Sequence, residues 1–98
     1  MREINIVFEY DYDDVDILLV PNYIANNIET VTQKFFSWLN NPENQKPFLV
    51  PYKGRLVLQI GTQAFLWWIN NYETPTNVVA EIKHEHVKYD PALPSAHF

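Results

Sequence analysis

Cysteine is absent from this 98-residue chain, so it has neither disulfides nor thiolate metal sites. Glycine is nearly absent: Gly54 and Gly61 are the only two, and no glycine-rich phosphate cradle can be built from them. Serine occurs only at Ser37 and Ser95, neither flanked by glycine, which excludes a Gly-x-Ser-x-Gly nucleophile elbow. No apolar run approaches the ~20 residues that span a bilayer. Met1-Arg2-Glu3-Ile4-Asn5 has no basic head followed by an apolar core, so a secretory signal is not expected. These absences point to a cytoplasmic domain with no membrane partner, no cofactor and no visible equipment for nucleophilic catalysis. General acid–base work by paired carboxylates would need a pocket that the pattern does not define.

What is present is a core. Six Phe, six Tyr and three Trp each bury on the order of 150–250 Å² when enclosed. A chain of this length forms one domain and hides somewhat more than ~60% of the surface its unfolded form exposes.

The net charge of −5 is unevenly placed. Residues 1–16 hold six acids (Glu3, Glu9, Asp11, Asp13, Asp14, Asp16) against Arg2, and residues 17–98 balance to zero. A general excess of acid is a solubility device. A local one asks for a local explanation.

Along the chain, Ile4, Ile6, Phe8, Tyr10 and Tyr12 alternate with polar residues and Val7 and predict a half-buried strand over 3–12. Val15 to Val20 predicts a second, ending at Pro21. With Asp13-Asp14 as a two-residue turn, Tyr12 faces Val15, Tyr10 faces Ile17 and Phe8 faces Leu19, which matches the apolar faces. Asp11 and Asp16 then stand opposite each other, with Asp13 and Asp14 at the tip.

Asn22–Leu39 predicts one long helix, with Ile24, Ile28, Val31, Phe35, Trp38 and Leu39 on a stripe. Asn40-Asn41-Pro42 closes it through a left-handed Asn, and a polar loop follows to Lys46. Pro47–Pro51 and Arg55–Ile60 predict a hairpin turning at Lys53-Gly54. Thr62 caps a second helix over 63–72, with Phe65, Trp68, Ile69 and Tyr72 on one face. Glu73-Thr74-Pro75-Thr76 breaks the chain. Asn77–Tyr89 predicts a last strand. The fold class expected is therefore α+β in the order ββαββαβ, a largely antiparallel sheet with two packed helices. Residues 1–90 form the domain and 91–98 a loosely held tail.

One internal echo stands out. Phe35-Phe36-Ser37-Trp38-Leu39-Asn40-Asn41 and Phe65-Leu66-Trp67-Trp68-Ile69-Asn70-Asn71 both set Phe and Trp three apart and end in Asn-Asn. The plain reading is two similar helix ends packed on one sheet.

Glu9 to Asp16 is the strongest candidate site. Like charges directly across a strand pair destabilise it by roughly 0.2–1 kcal/mol. The segment reads either as a solvated turn or as a docking surface, where clustered acids steer encounter with Lys and Arg of a basic partner. A divalent metal is a third reading, but an EF-hand loop is excluded because no Gly occupies its sixth position. His84-Glu85-His86 sets two imidazoles on one strand face, a spacing that serves metals, yet no third ligand is evident, since His97 lies in the loose tail, and an exposed edge strand with polar residues is the plainer reading. Lys46, Lys53 and Arg55 flank the second hairpin and read either as a group that meets an anion or, more plainly, as a solvated turn. Trp67 falls off the stripe of its helix; an exposed Trp is a common binding anchor, but the plainer reading in so aromatic a chain is that both faces of this short helix are covered.

Pro21-Asn22-Tyr23-Ile24-Ala25-Asn26-Asn27-Ile28, Phe35 with Trp38-Leu39, and Ala64-Phe65-Leu66-Trp67-Trp68-Ile69-Asn70 resemble the small immunity proteins of bacterial contact-dependent inhibition and polymorphic toxin systems. The similarity covers roughly residues 15–73 and rests on helix-face patterns. It implies a non-enzymatic cytoplasmic protein that binds a cognate toxin domain, often a basic nuclease, and blocks its active site. No residue roles carry over from it. The charge pattern assigns Glu9, Asp11, Asp13, Asp14 and Asp16 to that interface, with Trp67 as an apolar anchor. The alternative functions are a phage-type inhibitor that imitates nucleic acid, as anti-CRISPR proteins do, and a small metal-binding protein. Mimicry needs a long acidic track, and this chain is neutral beyond residue 16. Direct nucleic-acid binding is not expected.

Overall fold

The computed structural model describes residues 1–74 and 77–98. It is a mixed α+β fold with a mostly antiparallel sheet. Strands β1 (Arg2–Val7), β2 (Val15–Val20), β5 (Glu81–Val87) and β6 (Ser95–His97) form a four-stranded sheet in the order β5-β2-β1-β6, in which only the β1–β6 pair is parallel. Strands β3 (Leu49–Tyr52) and β4 (Arg55–Leu58) form a separate two-stranded ribbon. The helices are α1 (Asn22–Asn26), α2 (Ile28–Leu39), α3 (Pro42–Gln45) and α4 (Thr62–Trp68), the last running on into a π-helical turn over Ile69–Glu73. The order differs from ββαββαβ: the first helix is two segments, a short third helix occupies the expected polar loop, the second hairpin is not part of the main sheet, and β6 follows β5.

The first hairpin corrects the expected register. Ile4 pairs with Leu18 and Ile6 with Asp16, so β1 ends at Val7 and residues 8–14 are loop. The shift is an odd number of residues, which exchanges the faces of one strand relative to the other. It is favoured because both faces of this pair are buried. Ile4, Ile6, Leu18 and Val20 meet the helices through Ile24, Phe35 and Phe65, while Val7, Val15 and Ile17 are covered by Val87, Tyr89 and Leu93. Tyr10, expected inside, is 81% exposed.

The long helix is interrupted at Asn27, whose backbone leaves the helical region (φ −124°, ψ 29°). Its side-chain amide donates to the Tyr23 carbonyl at 2.7 Å, an instance of Asn competing with the helical ladder. The stripe of Ile24, Ile28, Val31 and Phe35 stays in phase across the break and is buried throughout. At the far end Asn40 remains right-handed (φ −64°) rather than left-handed. Asn41 instead caps α3, its side chain accepting from the Glu43 N–H at 3.1 Å with Pro42 following, so the expected polar loop is helical. Thr62 is not a cap: Gly61 takes that position, and the threonine hydroxyl donates to Asp16.

The tail is also corrected. Ala96 is 1% exposed in β6, and the Phe98 ring packs on Phe8, Phe35 and Phe65. Asn5, fully buried, pins the approach to it. Its side-chain amide donates to the Asp90 carbonyl (2.8 Å) and the Ser95 hydroxyl (3.2 Å), and its side-chain carbonyl accepts from the Asp90 N–H (3.2 Å). A buried amide so satisfied supports the fold, whereas one left bare would weaken it by about 1–3 kcal/mol. Asn70 plays the same part for the other connection, exchanging two hydrogen bonds with the backbone of Ala80. Pro75 and Thr76, placed by the sequence in the break after the second helix, lie outside the described residues.

The internal echo is visible in the packing. Phe35 stacks with Trp38 and Phe65 with Trp68, and the two Phe rings meet edge to face at 5.3 Å.

Candidate functional site

Loop 8–14 is held by turns at the end of β1. The Asp11 N–H donates to the Phe8 carbonyl (3.0 Å), and the Asp11 carboxylate accepts from the Asp13 N–H (3.1 Å). The loop's Glu9 N–H donates to the Phe98 carbonyl (3.1 Å), so the last strand anchors it from beside β1. Glu9 and Tyr10 both adopt left-handed backbone (φ 52° and 58°), a conformation that disfavours non-glycine residues by roughly 1–2 kcal/mol each. Tyr12 anchors the other end: its carbonyl accepts from the Tyr89 N–H at 2.9 Å, and its ring meets Tyr89 edge-on at 4.9 Å.

β5 supplies the counterpart. Its register against β2 slips between His84 and Val87, leaving a bulge in which His86 is left-handed (φ 54°). Bulges re-aim side chains. This one sends the His86 ring to Asp14, with Nδ1 to Oδ1 at 2.8 Å. The His86 N–H donates to Asp16 at 3.1 Å. His86 is raised above the ordinary histidine value, first by its hydrogen bond to Asp14 and next by that carboxylate's charge; Asp16 and Glu85 add smaller contributions, and desolvation opposes them. The two histidines are therefore not a metal pair on a flat strand face. Among the described residues, no group of three or more His, Cys, Asp or Glu side chains is placed to hold a metal ion.

The acids are brought together, but not as a strand pair. Glu9, Asp11, Asp14 and Asp16 line an open hollow of about 400 Å³ with His86, over Ile6 and Phe8. Asp11 does not face Asp16, whose partner in the register is Ile6. The cross-strand repulsion expected between them is thereby removed, and His86, when protonated, offsets part of the remaining charge. Asp13 is exposed outside the hollow. Asp16 differs from the others: half-buried, it accepts from both Thr62 and His86 and joins α4 to the bulge.

Trp67 is 42% exposed and lies among Trp38, Phe48 and Tyr72. It does not touch the acidic hollow. The two are linked by a middle depression of about 340 Å³, which shares Asp16 with the acidic hollow. The same depression shares Pro47, Phe48, Gln63 and Ala64 with the hollow of about 380 Å³ at Trp67. Acids and tryptophan thus stand at opposite ends of a track of three separate hollows that share lining residues.

His86, Thr62 and Phe48 are the track's members that sequence reasoning missed. His86 was visible as half of a histidine pair, but its partner depends on a bulge that alternation does not announce. Thr62 was read as a cap, and nothing in its neighbourhood names Asp16. Comparison with protein-family models, with curated proteins and with solved structures finds no match.

Proposed function

We propose that this chain is a non-enzymatic binding protein of the immunity type, which neutralises a cognate toxin domain, a basic nuclease, by occluding its active site in the cytoplasm. The observation that carries the reading is the track of hollows, sharing lining residues, from the acidic hollow past Asp16 to Trp67. An acidic end speeds encounter with a basic partner, and a half-exposed Trp set among other rings is the kind of anchor that holds a complex together. Three residues around the hollow (Glu9, Tyr10 and His86) hold left-handed backbone, and such strain is concentrated at functional sites. Glu9, Asp11, Asp13 and Asp14 meet the partner's Lys and Arg groups; Asp16 positions the surface beneath them.

Co-expression with the toxin should restore growth. Replacing Glu9 by Gln and Asp11, Asp13 and Asp14 by Asn should slow association and flatten its dependence on salt, while Trp67→Ala should speed dissociation. Asp16 is left intact because its loss would disturb Thr62 and His86 as well. Association kinetics that ignore both the substitutions and the salt concentration would reject the acidic loop as the interface.

A further inference from the structure

Sheet edges invite pairing with other chains, and proteins guard them. Three edges here are guarded. β5 carries charged residues along Glu81-Ile82-Lys83-His84-Glu85 and ends in a bulge. β6 is only three residues long. β3 contains Pro51.

The phase of the ribbon shows what Pro51 does. The Gln59 N–H donates to the Phe48 carbonyl at 2.9 Å, and Val50 pairs with Val57 and Tyr52 with Arg55. In an antiparallel ladder, alternate pairs exchange hydrogen bonds and the residues between them point their backbone groups outward. Leu49 and Pro51 therefore face the free side of β3, where Pro51 has no N–H to offer. On the free side of β4 stand Leu56 and Leu58, with both N–H and C=O groups intact and no partner among the described residues.

The surroundings indicate an occupant. Leu56 and Leu58 are 63% and 41% exposed and share a face with Leu49 and Pro51. No residue of the ribbon is buried, and a two-stranded ribbon is marginally stable until further strands join it. Between Glu43 and Glu73 the sequence holds Lys46, Lys53 and Arg55 and no acid. Lys46 is paired with Glu43, whereas Lys53 and Arg55 at the tip have no carboxylate partner among the described residues.

We infer that the free edge of β4 is a docking site for an extended, acidic segment of a partner protein, added as a third strand. Main-chain hydrogen bonds at Leu56 and Leu58 supply the pairing, the apolar face takes alternate side chains, and Lys53 with Arg55 selects for acid. This surface is separate from the acidic hollow, and either can fail without the other.

The test titrates the isotope-labelled protein with a short synthetic peptide alternating Val and Glu, and with its counterpart carrying Lys for Glu. The acidic peptide should shift the amide signals of residues 55–58 and bind about ten-fold more tightly than the basic one. Leu56→Pro or Leu58→Pro removes an outward N–H together with one leucine of the apolar face, and should abolish the shifts with the melting temperature nearly unchanged. Should either proline unfold the ribbon, Lys53→Glu with Arg55→Glu should reverse the preference between peptides. Equal affinity for both peptides, or shifts away from β4, would overturn the inference. Self-association of the free protein that Leu56→Pro eliminates would overturn it too, by assigning the edge to a second copy.

Discussion

The molecule contains two hairpins built on opposite terms. β1 and β2 are joined by a long loop and buried on both faces, so their register is set by what packs above and below them. β3 and β4 are joined by Lys53-Gly54, both left-handed (φ 49° and 79°) as a tight two-residue turn requires, and no residue of either strand is buried. One is held by its environment and the other by its turn. The difference shows that a chain can combine an over-determined core with an unfinished ribbon, and that the two should respond to mutation quite differently.

The largest expected effect lies in the core that fixes the first hairpin. Phe35 is fully buried against Phe65, Trp68 and Phe98. Phe35→Ala should destabilise the fold by about 3–5 kcal/mol in urea unfolding; a change under ~1 kcal/mol would show that the core collapses readily around the gap. Asn5→Ala should follow, at about 1–3 kcal/mol, because it removes a fully buried amide and strips its partners from the part-buried Asp90 backbone groups. Amide exchange in that segment should quicken selectively, and uniform quickening would instead indicate global loss of stability.

In the second hairpin, Gly54→Ala forces a side chain into left-handed backbone (φ 79°), although nothing crowds the added carbon. About 1 kcal/mol is expected, appearing as fraying of β3–β4 in exchange rather than as a cooperative loss. Leu56→Ala should change global stability by under ~0.5 kcal/mol, since so exposed a side chain has little burial to lose.

The smallest effect concerns His86 and Asp14, where the loop of the first hairpin meets β5. The folded-state value of His86 is raised, so its contribution is fully present below the ordinary histidine range near ~6.5 and is lost as pH rises through the raised value. Asp14→Asn should return His86 toward its ordinary value in a proton NMR titration. The stability difference between variant and parent should be found on the acidic side and fade on the alkaline side. A His86 titration indifferent to Asp14→Asn would dissolve the pair as described.

The same contrast governs how much could be read without a structure. Lys53-Gly54 locates the β3–β4 turn from two residues, because the constraint is local. The β1–β2 pairing was misread because Phe8, Tyr10 and Tyr12 continue the alternation of Ile4 and Ile6 into what is in fact loop. The cover over Val7, Val15 and Ile17 comes from Val87, Tyr89 and Leu93, far along the chain, and no pattern within residues 1–20 records it. The stripe of the first helix was legible, since Asn27 interrupts the ladder without changing its phase. Clustering of the acids was legible as charge. Their arrangement was not, because it depends on the bulge at His86 and on Thr62 reaching Asp16.

The pairing of β1 with β6 has a kinetic consequence. Asn5 and Ser95 are 90 positions apart, so the parallel ladder demands the closure of nearly the whole chain before its first hydrogen bond can form. Such non-local pairing slows folding, and loop-closure entropy opposes it until the intervening helices have already shortened the path. The helices should therefore assemble first. Loop 8–14, which leans on the Phe98 carbonyl, should acquire its final shape among the last parts of the molecule, so refolding followed at Tyr12 should lag behind refolding followed at the tryptophans.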